Sequence, residues 1–176
     1  MQANELEKWL AQEREVAVRI EAGPGPGVAK PEQVAGKTGL EMMRMMLRGE
    51  LPYAAIARTL DFQLLEVDEG RALFQGTPGP AHLNPMGGVH GGWYATLLDS
   101  ALGCAVHTQL PAGVGYTSIE IKINYLRGVN AASGLLTAHG WVTKPGRRVA
   151  FVDGDLRDAS GRLVATATGS CLIIGA

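Results

Sequence analysis

The sequence predicts an α+β fold in which a curved antiparallel sheet wraps around one long central helix. Residues 91–106 are apolar on nearly every side of a helix, and the only charged residue among them is Asp99. Two segments with strand character precede this helix and four follow it, with turn residues between them. A helix that is apolar all round needs wide cover, which a curved antiparallel sheet provides.

The composition is that of one globular domain with neither a nucleic acid nor a membrane as its partner. The chain has 176 residues, of which 46% are hydrophobic, and a formal net charge of -1. Its densest basic group, Lys144 with Arg147 and Arg148, is too small for nucleic acid to be the main partner. Residues 91–106 are too few, and Asp99 is too polar, for a bilayer span.

The N-terminal charges and the cysteines predict a cytoplasmic protein. Cys104 and Cys171 form neither a CxxC pair nor a metal-ligand spacing, so no disulfide framework is expected. We expect no secretory signal peptide because charged side chains interrupt the N-terminal segment, namely Glu5, Glu7, Lys8, Glu13, Arg14 and Glu15.

Residues 1–57 are predicted to form a helical extension and linker before a main domain at 58–176. An amphipathic helix is expected at 4–20, and the Gly-Pro run at 23–27 indicates a linker over 21–37.

A second N-terminal helix is predicted to begin near Thr38 and to end at Gly49. Thr38 and Glu41 have the spacing of a capping box, in which each residue binds the other's backbone amide. Gly49 suits the left-handed position that commonly ends a helix.

The rest of the chain is expected to be strands around the central helix. The predicted strands are 59–67 and 70–77, which pair as a hairpin, and 115–127, 133–143, 147–157 and 162–174. In the third of them, apolar residues alternate with polar ones, the period of a half-buried strand, in which Ile119, Ile121, Ile123 and Tyr125 alternate with Glu120, Lys122 and Asn124. Simple alternation places Ser118 with Glu120 and Lys122, away from the helix.

The segment before the central helix offers a site for a group that acquires negative charge. Asn84 and His90 flank a glycine-rich loop that leads into Gly91 and Gly92. Glycines let a backbone approach a ligand closely, and the first N–H groups of a helix lack intrahelical partners at its positive end. These amides can therefore bind a carbonyl oxygen that becomes negative during a reaction.

Asp99 is the second candidate group, and its spacing from the loop predicts a shared site. We expect Asp99 to be buried, where a carboxylate is costly unless it has a partner or a chemical use. Gly91 and Asp99 are eight residues apart, which is about 12 Å along a helix axis. One reacting carbon cannot lie within about 3–4 Å of both groups of one helix. A common substrate would therefore require a homodimer with its sites at the subunit interface.

These residues together resemble the PaaI-type acyl-CoA thioesterases of the hotdog fold. The resemblance rests on Asn84, the Gly88–Gly92 run, Asp99 and the strand at 118–127, and it covers about residues 58–175. It implies an enzyme that hydrolyses an acyl-CoA to the free acid and CoA with no metal or other cofactor. It also implies a homodimer with shared active sites that pairs into a homotetramer.

The resemblance assigns a role to each candidate residue. The Gly91 N–H would polarise the thioester carbonyl, His90 would shape the turn, and Asn84 would orient the thioester or the water. Asp99 of the partner chain would act as general base on water or as nucleophile, and Ser118 would assist it.

Four further residues are expected at the substrate, namely Val89, Gly92, Trp93 and Arg127. Trp93 either packs at the subunit interface or contacts the acyl group. Arg127 either meets the phosphates of CoA or is a solvated surface residue. The methionine-rich segment 42–47 packs in the core or forms a pliable wall for an acyl chain.

Two other functions remain open from the sequence, a non-catalytic acyl-thioester binding module and a hotdog enoyl-CoA hydratase. A pure binder gains little from a buried carboxylate. A hydratase would more typically place an Asp and a His together in the loop-to-helix segment. The acyl group, whether aromatic or short to medium aliphatic, is not identified by the sequence.

Overall fold

The computed structural model describes residues 3–175, with side chains for residues 6–175. Its helices are α1 (Ala3–Glu21), α2 (Pro31–Val34), α3 (Gly39–Leu47), α4 (Ala55–Thr59) and α5 (Gly91–His107). Its strands are β1 (Phe62–Asp68), β2 (Arg71–Gly76), β3 (Gly115–Tyr125), β4 (Leu136–Lys144), β5 (Val149–Asp158) and β6 (Leu163–Ile174).

The strands form one antiparallel sheet in the order β1-β2-β4-β5-β6-β3, curved around α5. The predicted α+β hotdog architecture is therefore confirmed. Leu97, Leu98 and Ala101 of α5 are fully buried against the sheet. Gly140 in β4 permits this contact, because a Cβ there would lie 2.3 Å from the backbone oxygen of Ala101.

The two predicted N-terminal helices are confirmed as α1 and α3. Thr38 caps α3: its Oγ1 accepts from the Glu41 N–H at 3.3 Å, and Glu41 Oε2 accepts from the Thr38 N–H at 2.7 Å. Gly49 follows with a φ of 71°, the left-handed conformation that glycine adopts without steric cost.

The extension packs on the main body of the chain. Both α1 and α3 contact β1, and α3 also contacts α5. The prediction of a strand from residue 59 is wrong, because α4 ends at Thr59 and Asp61 turns the chain with a φ of 53° before β1 begins. The predicted linker also contains the short helix α2. The division at residues 57 and 58 stays a prediction.

β3 is an edge strand of the sheet and pairs with β6. Its apolar side chains are solvent-accessible in the single chain: Ile119 and Tyr125 are each 54% exposed, and the adjoining Leu126 is 56% exposed. An edge strand with exposed apolar side chains can pair with another chain.

Within residues 3–175, none of the helices has the length and apolar character that crossing a membrane requires.

Candidate active site

The loop before α5 is held by its own backbone and by Asn84. Asn84 Oδ1 accepts from the N–H groups of Met86 and Gly88 at 2.9 and 3.2 Å. The Asn84 N–H donates to the Gly88 oxygen at 2.8 Å. The side-chain oxygen of Asn84 is thus committed to the loop, and only its amide nitrogen is left to orient a ligand.

His90 caps α5 and leaves one helix amide available. Its Nδ1 accepts from the Gly92 N–H at 2.9 Å, and its backbone oxygen accepts from the Trp93 N–H at 2.9 Å. The Gly91 N–H has no acceptor anywhere in the part of the chain that the structure describes. This amide lies at the positive end of α5, where it can donate to an anionic oxygen.

Tyr125 of β3 holds this end of α5 against the sheet edge. Its hydroxyl donates to the Gly91 oxygen at 3.1 Å, and its ring lies 5.7 Å from that of Tyr94. A Cβ at Gly91 would lie 3.3 Å from the Tyr125 hydroxyl oxygen. No sequence motif indicated Tyr125 as a site residue, although strand alternation puts it on the same face as Ile121 and Ile123.

Asp99 is exposed in the single chain, so the prediction that it is buried is wrong. α5 carries a narrow stripe of small and polar residues on the side that faces the edge strand β3. In this stripe, Thr96 Oγ1 donates to the Gly92 oxygen at 2.9 Å, and Ser100 Oγ donates to the Thr96 oxygen at 2.8 Å. The spacing of three and four residues aligns Asp99 with them, so water can reach its carboxylate.

Ser118 lies beside Asp99, and the expectation that it points away from the helix is wrong. Its Oγ donates to Asp99 Oδ1 at 2.9 Å. The pairing of β3 with β6 shifts register between Ser118 and Glu120, so that Ile119 is an extra, unpaired residue. Such a β-bulge reverses the inward and outward alternation on its two sides. Ser118 therefore faces α5, as Ile121 does beyond the bulge.

The other polar groups around Asp99 are uncharged. Burial raises the pKa of Cys104 to about 12, so this thiol stays protonated. Burial also raises the pKa of Tyr116 well above its usual value and that of Cys171 above its own. Cys104 is therefore no candidate for a nucleophile.

The four residues expected at the substrate are dispersed. Val89 and Trp93 are core residues of this chain, at 5% and 3% exposure, so the expectation that Trp93 packs at a subunit interface or on the acyl group is wrong. The Trp93 indole N–H donates to the Leu60 oxygen at 2.8 Å, which satisfies its only polar atom. Gly92 and Arg127 are exposed, at the start of α5 and just after β3.

A cavity of about 900 Å³ adjoins the carboxylate. Asp99, Ser100 and Ser118 line it on the α5 and β3 side, and residues of α1, α3, α4, β1 and β2 line most of the rest. Among the described residues, no group of three or more His, Cys, Asp or Glu side chains is arranged to hold a metal ion.

The two candidate groups of α5 are far apart in one chain. Gly91 begins the helix and Asp99 lies eight residues further along it, about 12 Å along the axis. The same chain therefore cannot bring both groups to one thioester carbon.

Comparisons with known proteins agree on one family. A family model described as the thioesterase superfamily matches residues 86–165. A provisionally named esterase of Saccharolobus solfataricus is 32% identical over 120 residues, which is 68% of this chain and 83% of that protein.

Solved structures give the same result. A Ralstonia eutropha protein described as phenylacetic acid degradation-related is 35% identical, with a TM-score of 0.68 over 74% of this chain and 98% of its own. The Escherichia coli PaaI protein, from the phenylacetic acid degradation operon, is 29% identical, with a TM-score of 0.63 over 69% of this chain and 85% of its own.

Proposed function

Since this chain belongs to the thioesterase superfamily and is a thioester hydrolase, we propose that it hydrolyses an acyl-CoA to the free acid and CoA. The candidate acyl groups are aromatic or short to medium aliphatic. A single observation carries the assignment of the site. Asp99 is a solvent-accessible carboxylate that accepts a hydrogen bond from Ser118 at 2.9 Å and borders a large cavity.

In the proposed reaction, the Gly91 N–H donates to the thioester oxygen and stabilises the negative charge that develops there. Asp99 accepts a proton from water as the water oxygen attacks the carbonyl carbon, or attacks that carbon itself. The carbon–sulfur bond then breaks, and the CoA sulfur leaves with the electron pair and takes up a proton. Where Asp99 is the nucleophile, water then hydrolyses the acyl–Asp99 anhydride, which releases the acid and restores the carboxylate. Ser118 orients the carboxylate throughout, and Asn84 and His90 hold the loop.

We propose a homodimer in which each active site takes Gly91 from one chain and Asp99 from the other. Two observations support it, the separation of these groups along α5 and the exposed apolar edge of β3. Pairing of β3 with its copy would cover Ile119 and Tyr125 and bring the two α5 helices together. Two such dimers would form the proposed homotetramer.

The remaining assignments concern the substrate and the compartment. The exposed Arg127 and the exposed backbone surface of Gly92 are proposed to contact CoA, with Arg127 at a phosphate. Val89 is proposed to support the glycine-rich loop before α5 from the core. A cytoplasmic location is proposed because Cys104 and Cys171 are both free thiols.

The test is thiol release from a panel of aromatic and aliphatic acyl-CoAs, with the wild type compared with Asp99→Asn. We expect the substitution to lower turnover by about 10²- to 10⁴-fold, because an amide cannot act as the base. Asp153→Asn is the matched control on β5, outside the cavity lining. Equal rates for wild type and Asp99→Asn, or loss of the enoyl group of an enoyl-CoA with its thioester intact, would contradict the proposal.

A further inference from the structure

The cavity beside Asp99 extends from the carboxylate to the N-terminal helices. Met43, Met46 and Leu47 of α3 and Ile20 of α1 line it. α3 contacts both α5 and α1, so it lies between the carboxylate and the outer helix. These walls belong to residues 1–57, which precede the family match at 86–165.

The walls are apolar and adaptable near α3. Met46 and Leu47 are half-buried, whereas Met43 is buried at 2% exposure. Phe62 and Leu64 of β1 complete the apolar lining beneath them. Methionine side chains adjust their rotamers to irregular shapes, which suits a flexible chain better than a flat ring.

The cavity has charged residues where α1 meets the turn before β1. Glu13, Arg14, Arg58 and Asp61 line it there. Glu13 is half-buried, and burial raises the pKa of its carboxyl, with a smaller opposing effect from the Gln75 amide. A methyl group placed among these side chains would displace their water, so apolar contact is favourable only up to this point.

Resting on the proposed thioesterase function, we propose that the N-terminal helices form the acyl-chain pocket and set the chain length of the substrate. The acyl chain of the substrate would enter the subunit that supplies Asp99. A medium-length aliphatic acyl-CoA would be the preferred substrate class. Met46 and Ile20 are the proposed specificity-determining residues. Residues 1–57 would thus be part of the binding site.

The volume favours an aliphatic chain over a small aromatic group. One methylene occupies about the volume of a water molecule, roughly 30 Å³, so a chain of about eight to twelve carbons fills about a third of the space. A benzene ring fits a cavity of about 150 Å³, which is about a sixth of 900 Å³ and about half of what the chain fills. Each further methylene that becomes buried should tighten binding by about fourfold, until the acyl chain reaches the charged residues between α1 and the turn before β1.

The test uses S-alkyl-CoA thioethers of increasing chain length, because they bind but cannot be hydrolysed. Isothermal titration calorimetry with the wild type should give a Kd that falls by about fourfold per methylene and then levels off. Met46→Trp and Ile20→Trp fill the cavity, so the fall of the Kd with alkyl-chain length should stop at a shorter thioether. They should raise the Kd of the longest thioether far more than that of the shortest. Val18→Trp is the control, since Val18 lies on the same helix, is 66% exposed and is not part of the lining.

A Kd that does not depend on chain length, or an equal effect of Met46→Trp on every thioether, would overturn the proposal. An effect of Val18→Trp equal to that of Ile20→Trp would overturn it as well. Because binding is measured without turnover, these outcomes are independent of thiol release. Thiol release that depends on Asp99, with no chain-length effect in the thioether series, would remove this inference and leave the thioesterase function intact.

Discussion

The two halves of the candidate site are built in different ways. The N-terminal end of α5 is a local structure, in which Asn84, His90 and Gly91 lie within eight residues, and the side chains of Asn84 and His90 accept from the N–H groups of Gly88 and Gly92. The carboxylate half joins Asp99 to Ser118, 19 residues away on another element. The first half depends on a loop and a helix end, and the second depends on the register of a whole strand.

This difference explains which half can be inferred from a sequence. A glycine-rich loop before an apolar helix predicts a free helix amide, because helix ends always leave N–H groups without intrahelical partners. The contact between Ser118 and Asp99 depends on the bulge at Ile119, and a bulge leaves no signature in the alternation of isoleucines. Variants of the two halves should therefore fail differently.

The largest effect on the local half is expected from Gly91→Pro. Proline removes the Gly91 N–H yet suits the first position of a helix, and the His90 ψ of 135° is compatible with a following proline. We expect turnover to fall by about 10²- to 10³-fold, as when one oxyanion donor is lost. Gly91→Ala is the control for crowding against Tyr125, because it adds a Cβ but keeps the N–H. Equal losses for the two variants would show that the N–H is not the donor.

A smaller effect is expected from Ser118→Ala in the carboxylate half. Removing a hydrogen bond to a charged group should lower turnover by about tenfold, because Asp99 keeps its charge but loses its orientation. Ser118→Thr should retain most of the activity, since the hydroxyl is kept. Steady-state thiol release with each variant checks this. Activity in Ser118→Ala equal to that of the wild type would mean that the contact does not position the carboxylate.

The smallest effect on activity is expected from His90→Ala, which tests whether His90 supports the loop or takes part in the reaction. Loss of the cap on Gly92 should lower the free energy of unfolding by about 1 kcal/mol in urea denaturation. Turnover should change by less than about tenfold. His90→Asn should recover the stability, because Asn is a strong helix cap. A loss of activity as large as that of Gly91→Pro, without recovery in His90→Asn, would make His90 a catalytic group.

The sequence was sufficient for the architecture and for most element boundaries, because hydrophobic periodicity and caps are local. It misplaced Asp99, since an apolar helix with one charge does not reveal that a stripe of small residues lies at the open edge beside β3. It also assigned Trp93 to a surface, whereas its indole closes the core between α5 and the turn at Leu60. Side chains whose environment depends on distant segments were the ones that periodicity could not place.

The most direct test of the shared site is a hybrid dimer of one Asp99→Asn chain and one Gly91→Pro chain, purified through two different tags. If Asp99 acts with the partner's amide, the hybrid has one site with both defects and one complete site. It should then recover about half of the wild-type turnover, although each variant alone is nearly inactive. If the two groups of one chain act together, every site in the hybrid lacks one of them. Turnover no higher than that of the separate variants would contradict the shared site.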